Sequence, residues 1–376
     1  MTVTTEKPLR VALMGQLVLL LASCSCPDLS CDRIDFAKPL DRTALRASGW
    51  VMGLSLASNA ASVASLDRMW RAEGACTIGS GMVLVVGVTE PSLGGDTAGH
   101  ALAVLRDKEG NGWSWADVVD SHFYAVSRAD RGAYVAGTRG GDILLGLVDL
   151  DGRWDWLTTF GGSGGYEFAP QIASTSRGVL VAARYWPDQL LIFEVSAGGV
   201  VLWEERVPVA GAWSVQAAEV LSSGELRVTV QVTLGVRKVQ FRCFLLSPAG
   251  QLLDAYDPYV RAGVPSHFRG FCISEDFLVG TRNRSNYEWD TTVYWVGGSQ
   301  VELGNVFARR AARLSPGVAV VLGARAKPEL LDLVALVEPS GVMKSWCFQP
   351  GQLTYAGYPV VAAGEGLIWV AGGGTY

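Results

Sequence analysis

Residues 159–169 read TFGGSGGYEFA, with four glycines in a run of five. Such a run cradles phosphate when it opens a helix, because the helix N-terminus then faces the anion. The run continues into YEFAPQIAS, with Pro170 and strand-forming residues, and no Lys-Ser/Thr pair closes it. The same context argues against a nucleophile at Ser163, which would need a sharp strand-to-helix elbow. In VDLDGRWD, Asp149, Asp151 and Asp155 alternate like the carboxylates of a calcium loop. The closing Glu of that loop is missing, and Asp151-Gly152 is a favoured hairpin dipeptide. His100, His122 and His267 are far apart and the cysteines follow no paired CxxC spacing, so no metal site is expected. Arginines form the most suggestive set. Arg139, Arg184, Arg282 and Arg325 each close an apolar run, and Asp142, Asp188, Asp290 and Asp332 each stand just before the next run. If these places are equivalent in a repeat, the guanidinium forks gather on one rim, where they would grip a carboxylate or sulfate. The alternative pairs each Arg with its own Asp, a surface contact worth up to about 1 kcal/mol.

The elements that position these residues do repeat. MVLVVGV, GAYVAGT, GVLVAAR, LRVTVQV, DFLVGT, VAVVLGA and LIWVAGG share a β-rich run that mostly ends in a small residue. Their register positions are Gly87, Gly137, Ala183, Gln231, Gly280, Gly323 and Gly372, spaced 50, 46, 48, 49, 43 and 49 residues apart. After each of the first six copies come a loop, a second apolar strand such as ALAVL or LLIFEV, and a turn rich in Asp, Ser, Pro and Gly. A further strand carries an aromatic, as at Trp156, Trp203 and Trp346, and a weaker strand leads into the next copy. Four strands per unit without helical periodicity predict an all-β fold, a β-propeller of seven four-stranded blades. The seventh copy stops at Tyr376 without outer strands, and residues 50–70 read as two outer strands without inner ones. The two halves predict one blade shared between the chain ends, which leaves no open sheet edge.

WLTTFGGSGGYEFAPQIASTSRGVLVAAR resembles the repeat of extracytoplasmic bacterial and archaeal β-propellers, in which a Trp strand and TFGG run into an acidic residue and a hydrophobic strand. The resemblance covers residues 50–376 and is strong in this blade alone. The quinone-enzyme propellers are similar in general shape, but their docking tryptophan motif is missing, so no cofactor is implied.

The N-terminus carries Lys7 and Arg10, then the apolar run VALMGQLVLLLAS, too short for a confident membrane span and suited to a signal segment. LASC, residues 21–24, resembles a lipobox, which implies cleavage before Cys24 and a lipid on its sulfur. Residues 1–23 are then a signal peptide, 24–49 a tether and 50–376 the propeller. Cys26 and Cys31 are close enough to bridge in an oxidising compartment. A net charge of −5 without a basic run excludes nucleic acid as the expected partner. The long segments TEPSLGGDTAGH and TRNRSNYEWD suit a ligand site, with Tyr287 and Trp289 as aromatic candidates. These observations point to a lipid-anchored extracytoplasmic module, more a binder than an enzyme, that meets a protein or glycan at one rim. A glycan-active hydrolase or lyase using carboxylates at the ring mouth and an intracellular assembly platform are the alternatives.

Overall fold

In GAYVAGTR (Gly132–Arg139) and DILLGLVD (Asp142–Asp149), six consecutive residues of each strand are buried. A half-exposed strand alternates, whereas a strand buried on both faces is apolar throughout. Sheets built on such strands need a neighbour on either side, and a ring supplies one to every sheet. The computed structural model shows that ring. It describes residues 32, 33, 35, 36, 50–57, 60–66, 69–79, 81–89, 99–117, 120–161, 168–185, 188–235, 238–262, 269–285, 288–325, 331–348, 360–364 and 367–372.

Seven four-stranded antiparallel sheets form the blades, with strands in order from the inner to the outer edge. The inner strands are Met69–Ile78, Ser121–Ala129, Phe168–Ser174, Ala212–Val220, Arg269–Ile273 and Val306–Ser315 in blades one to six, and Val360–Gly364 in blade seven. Blade seven takes its two inner strands from the C-terminal end and its two outer strands, Trp50–Ser55 and Ala60–Ser65, from the N-terminal end. Trp50 to Ser55 pair with Gly372 to Leu367, so the predicted closure is the observed one. Within the segment read as a tether, Asp32–Arg33 pairs in parallel with the outer strand of blade six, and Asp35–Phe36 with that of blade seven. Arg33 stands opposite Cys347, which is disulfide-bonded. Cys76 and Cys243 are free, and burial pushes their thiols up to about 12 and about 11. Among the described residues, no helix is long and apolar enough to cross a membrane.

Each core lies between two blades. Leu180, Ile192 and Val207 of blade three meet Val228, Val230 and Phe244 of blade four, and Val83 and Val104 of blade one meet Trp369 of blade seven. Between blades four and five, Phe241 and Leu278 are buried together, with Tyr259 and Tyr294 packed against them. Tyr259 sits on a single helical turn, Pro258–Arg261, capped by Asp257, and its hydroxyl donates to the Val279 carbonyl at 2.8 Å.

Outer-strand tryptophans add a second tie. The rings of Trp113, Trp156 and Trp203 lie against Gly152, Gly199 and Gly250, each a positive-φ glycine in a turn of the following blade. Trp113 Nε1 donates to Leu150 O at 2.8 Å and Trp156 Nε1 to Ala197 O at 2.9 Å. Trp203 Nε1 instead donates to the buried carboxylate of Glu194 at 2.7 Å. Arg177 pairs with Glu194 and reaches the blade-four turn at the Pro248 carbonyl, 2.5 Å away.

Gly250 and Gly224 share a φ near +88° and +85°, but a Cβ at Gly250 would stand 2.4 Å from the Trp203 ring, whereas one at Gly224 meets nothing within 4 Å. Gly224→Ala should therefore cost about 1 kcal/mol from the left-handed backbone alone. Gly250→Ala should cost about 2–4 kcal/mol, because the locked Trp203 ring must also move. Denaturant unfolding of the two variants checks this, and equal losses would exclude the ring as the cause.

Candidate functional site

The small register residues of the repeat have a structural cause. The blade-one inner strand bulges at Trp70 and again at Glu73: Ala72 pairs with Gly87 and Gly74 with Val86, leaving Glu73 as an extra residue. The same β-bulge isolates Tyr124 in blade two, Gln216 in blade four, Phe271 in blade five and Arg309 in blade six. In blade three it takes in Ala169 and Pro170, and Ala169 is the only non-glycine with positive φ among the described residues. A bulge pushes backbone toward the facing strand and re-aims the extra side chain. At Gly87 a Cβ would stand 1.9 Å from the Arg71 carbonyl oxygen, at Gly137 2.0 Å from that of His122, and at Gly323 2.7 Å from that of Phe307. Glycine is required there because the inner strand bulges against it.

The bulges deliver polar side chains to one mouth of the ring. Arg71 and Glu73 lie near the start of the blade-one inner strand and form an ion pair. His122 and Tyr124 lie near the start of the next inner strand, their rings stacked 4.1 Å apart. His122 Nε2 is 3.6 Å from Glu73 Oε1 and 3.4 Å from Arg71 Nη2. Burial raises the Glu73 carboxyl, but a hydrogen bond from His122 and the charges of Arg71 and Arg310 outweigh it and hold the group below its ordinary value. Arg310 belongs to blade six, beyond blade seven, so the charges meet across the mouth. Burial is the largest influence on Tyr124 too, and it pushes the phenol up.

The rim arginines stand at the same end, since Arg139 pairs in register with Ser121, Arg184 with Phe168 and Arg325 with Val306. Arg139 spans two blades: its Nε and Nη2 donate to Asp117 at 3.1 and 2.5 Å, on the crossing from blade one, rather than to Asp142. Asp117 is buried and also accepts from Ser121 Oγ at 2.8 Å. Arg184 lies over the Trp213 ring of blade four, 5.4 Å from its centroid, and donates to the Trp213 carbonyl at 3.2 Å. Arg282 pairs with its own Asp290 at 2.9 Å. Trp289 packs on Phe307 of blade six, centroids 4.7 Å apart, and Phe307 in turn lies under Arg309 at 6.0 Å. The Arg325 side chain, Tyr287, Cys24, Cys26 and Cys31 lie outside the described residues. Sequence reasoning missed Arg71, Glu73, His122, Tyr124 and Arg309. A signal for them existed: Glu73, Tyr124, Gln216 and Arg309 each precede their register residue by 13 to 15 positions.

The class is thus a seven-bladed β-propeller with a charged mouth, all-β throughout its blades. No protein-family model and no curated protein matches the chain. Solved structures similar to it include a protein of unknown function from Bacteroides caccae, 12% identical, with a TM-score of 0.42, covering 80% of this chain and 94% of the other. A putative 6-phosphogluconolactonase from Bacteroides uniformis is 12% identical at a TM-score of 0.47, covering 80% and 97%. The Dos1 propeller is 11% identical at 0.47, covering 84% of each.

This wiring has two measurable consequences. Arg139→Ala should lower stability by about 3 kcal/mol in denaturant unfolding, because it removes the guanidinium that pairs with the buried Asp117 carboxylate. Glu73 stabilises the fold through a depressed carboxyl, so its contribution is present above about pH 4.5, the ordinary glutamate value, and is lost as pH falls through its lower folded value. The stability gap between wild type and Glu73→Gln should therefore shrink in acid. A gap unchanged down to the acid limit of folding would contradict the assignment.

Proposed function

We propose that this chain is a binding and scaffold propeller without turnover, held on the extracytoplasmic side of a membrane by a lipid on Cys24. The observation that carries the binding role is the mouth cluster: four inner strands bulge at equivalent places and present Glu73, Tyr124, Gln216 and Arg309 on a rigid ring. A protein or glycan partner docks at that end. Of the rim arginines read from the sequence, Arg139 and Arg184 tie neighbouring blades and Arg282 braces its own.

Two features support the compartment. LASC at residues 21–24 resembles a lipobox, and the disulfide at Cys347 suits an oxidising environment. Mass spectrometry of the native N-terminus should find a lipidated Cys24, and an intact Met1 would overturn the anchor in favour of an intracellular assembly platform. A glycan array run beside a hydrolase and lyase screen should give binding without product. Turnover of any bound glycan would replace the binding reading with the enzymatic one.

A further inference from the structure

From the geometry of the mouth we infer that it is an anion site, built to take a carboxylate or phosphate group of a small ligand. The inference rests on the binding role proposed above and names its ligand class. Charge is distributed unevenly along the inner strands. Among the side chains described, their first five positions hold three arginines, Arg71, Arg309 and Arg310, and one carboxylate, Glu73. At the other end of the same strands the charges are matched: Arg313 pairs with Glu275 and Asp276, at 3.0 and 2.7 Å, and Glu219 pairs with Arg227 at 2.6 Å.

Glu73 is in ion contact with Arg71, sits beside His122 and feels the charge of Arg310. Arg309 makes no ion pair among the described residues. Its Nε is buried without a hydrogen-bond partner, and its guanidinium rests on Phe307, itself backed by Trp289. A buried donor left unmade is costly, and an acceptor from a ligand would satisfy it. The guanidinium fork matches a carboxylate or phosphate with two parallel hydrogen bonds. The bulge at Arg309 and the aromatic stack under it hold that fork in place before any ligand arrives.

The test is isothermal titration of the full chain with two probes, inorganic phosphate and citrate, at low ionic strength. Wild type should bind one or both, more weakly as salt rises. Arg309→Gln and the double variant Arg309→Gln/Arg310→Gln should bind roughly tenfold or more weakly, the loss of one or two charge-assisted contacts. Arg206→Gln, on an outer strand and paired with Glu204, should bind as wild type does. The melting curve of each variant is recorded beside wild type, so a loss of binding with an unchanged curve reads the site and not the fold. A folded wild type that binds neither probe, or variants with unchanged affinity, would overturn the anion site. A glycan array positive for neutral sugars with both probes silent would do the same while leaving the binding role standing.

Discussion

Every other feature of this molecule depends on sheets that are apolar on both faces. The second and third strands of blades two and three bury six consecutive residues each. A sheet of that kind is insoluble alone and half-covered in a two-layer stack. In a ring, each face meets a neighbour, and the cores accordingly lie between blades rather than within them. Closure is then obligatory. The pairing of Trp50–Ser55 with Leu367–Gly372 removes two open edges that would recruit other strands.

Closing a ring leaves one edge of each sheet facing the axis. The inner strands are where this chain departs from regular β geometry, and the departure is systematic. The extra residue in an inner strand forces its carbonyl against the second strand, so that strand carries glycine at positions 87, 137 and 323. One device therefore explains both the most visible mark of the repeat and the least visible functional feature. The glycine accommodates the bulge, and the bulge turns Glu73, Tyr124 or Arg309 out of the strand's alternation. In blade seven the described part of the inner strand, Val360–Gly364, pairs regularly.

The stretch TFGGSGGYEFA takes its place in this scheme. Its first residues end the outer strand of blade two at Phe160, and its last begin the inner strand of blade three at Phe168. Ala169, with φ of 42°, lies in the blade-three bulge just past the glycines. The run is a crossing between sheets, and the strain at its end belongs to the same device that shapes the mouth.

From the sequence alone came the all-β ring, its seven blades and the blade shared by the chain ends, because spacing and β-branched runs are local properties that repetition makes unmistakable. The end of the ring carrying Arg139, Arg184 and Arg325 came from the same register. What these arginines touch did not. Asp117 lies 22 positions from Arg139 and Trp213 lies 29 from Arg184, and both partners come from a neighbouring crossing or blade, whose approach depends on how the sheets pack. The mouth cluster was hidden for a related reason. A bulge breaks the period of two that marks a strand, so Glu73 and Tyr124 sit in segments that read as weak. Arg310 reaches the field of Glu73 only because blades one and six stand two places apart around a closed ring.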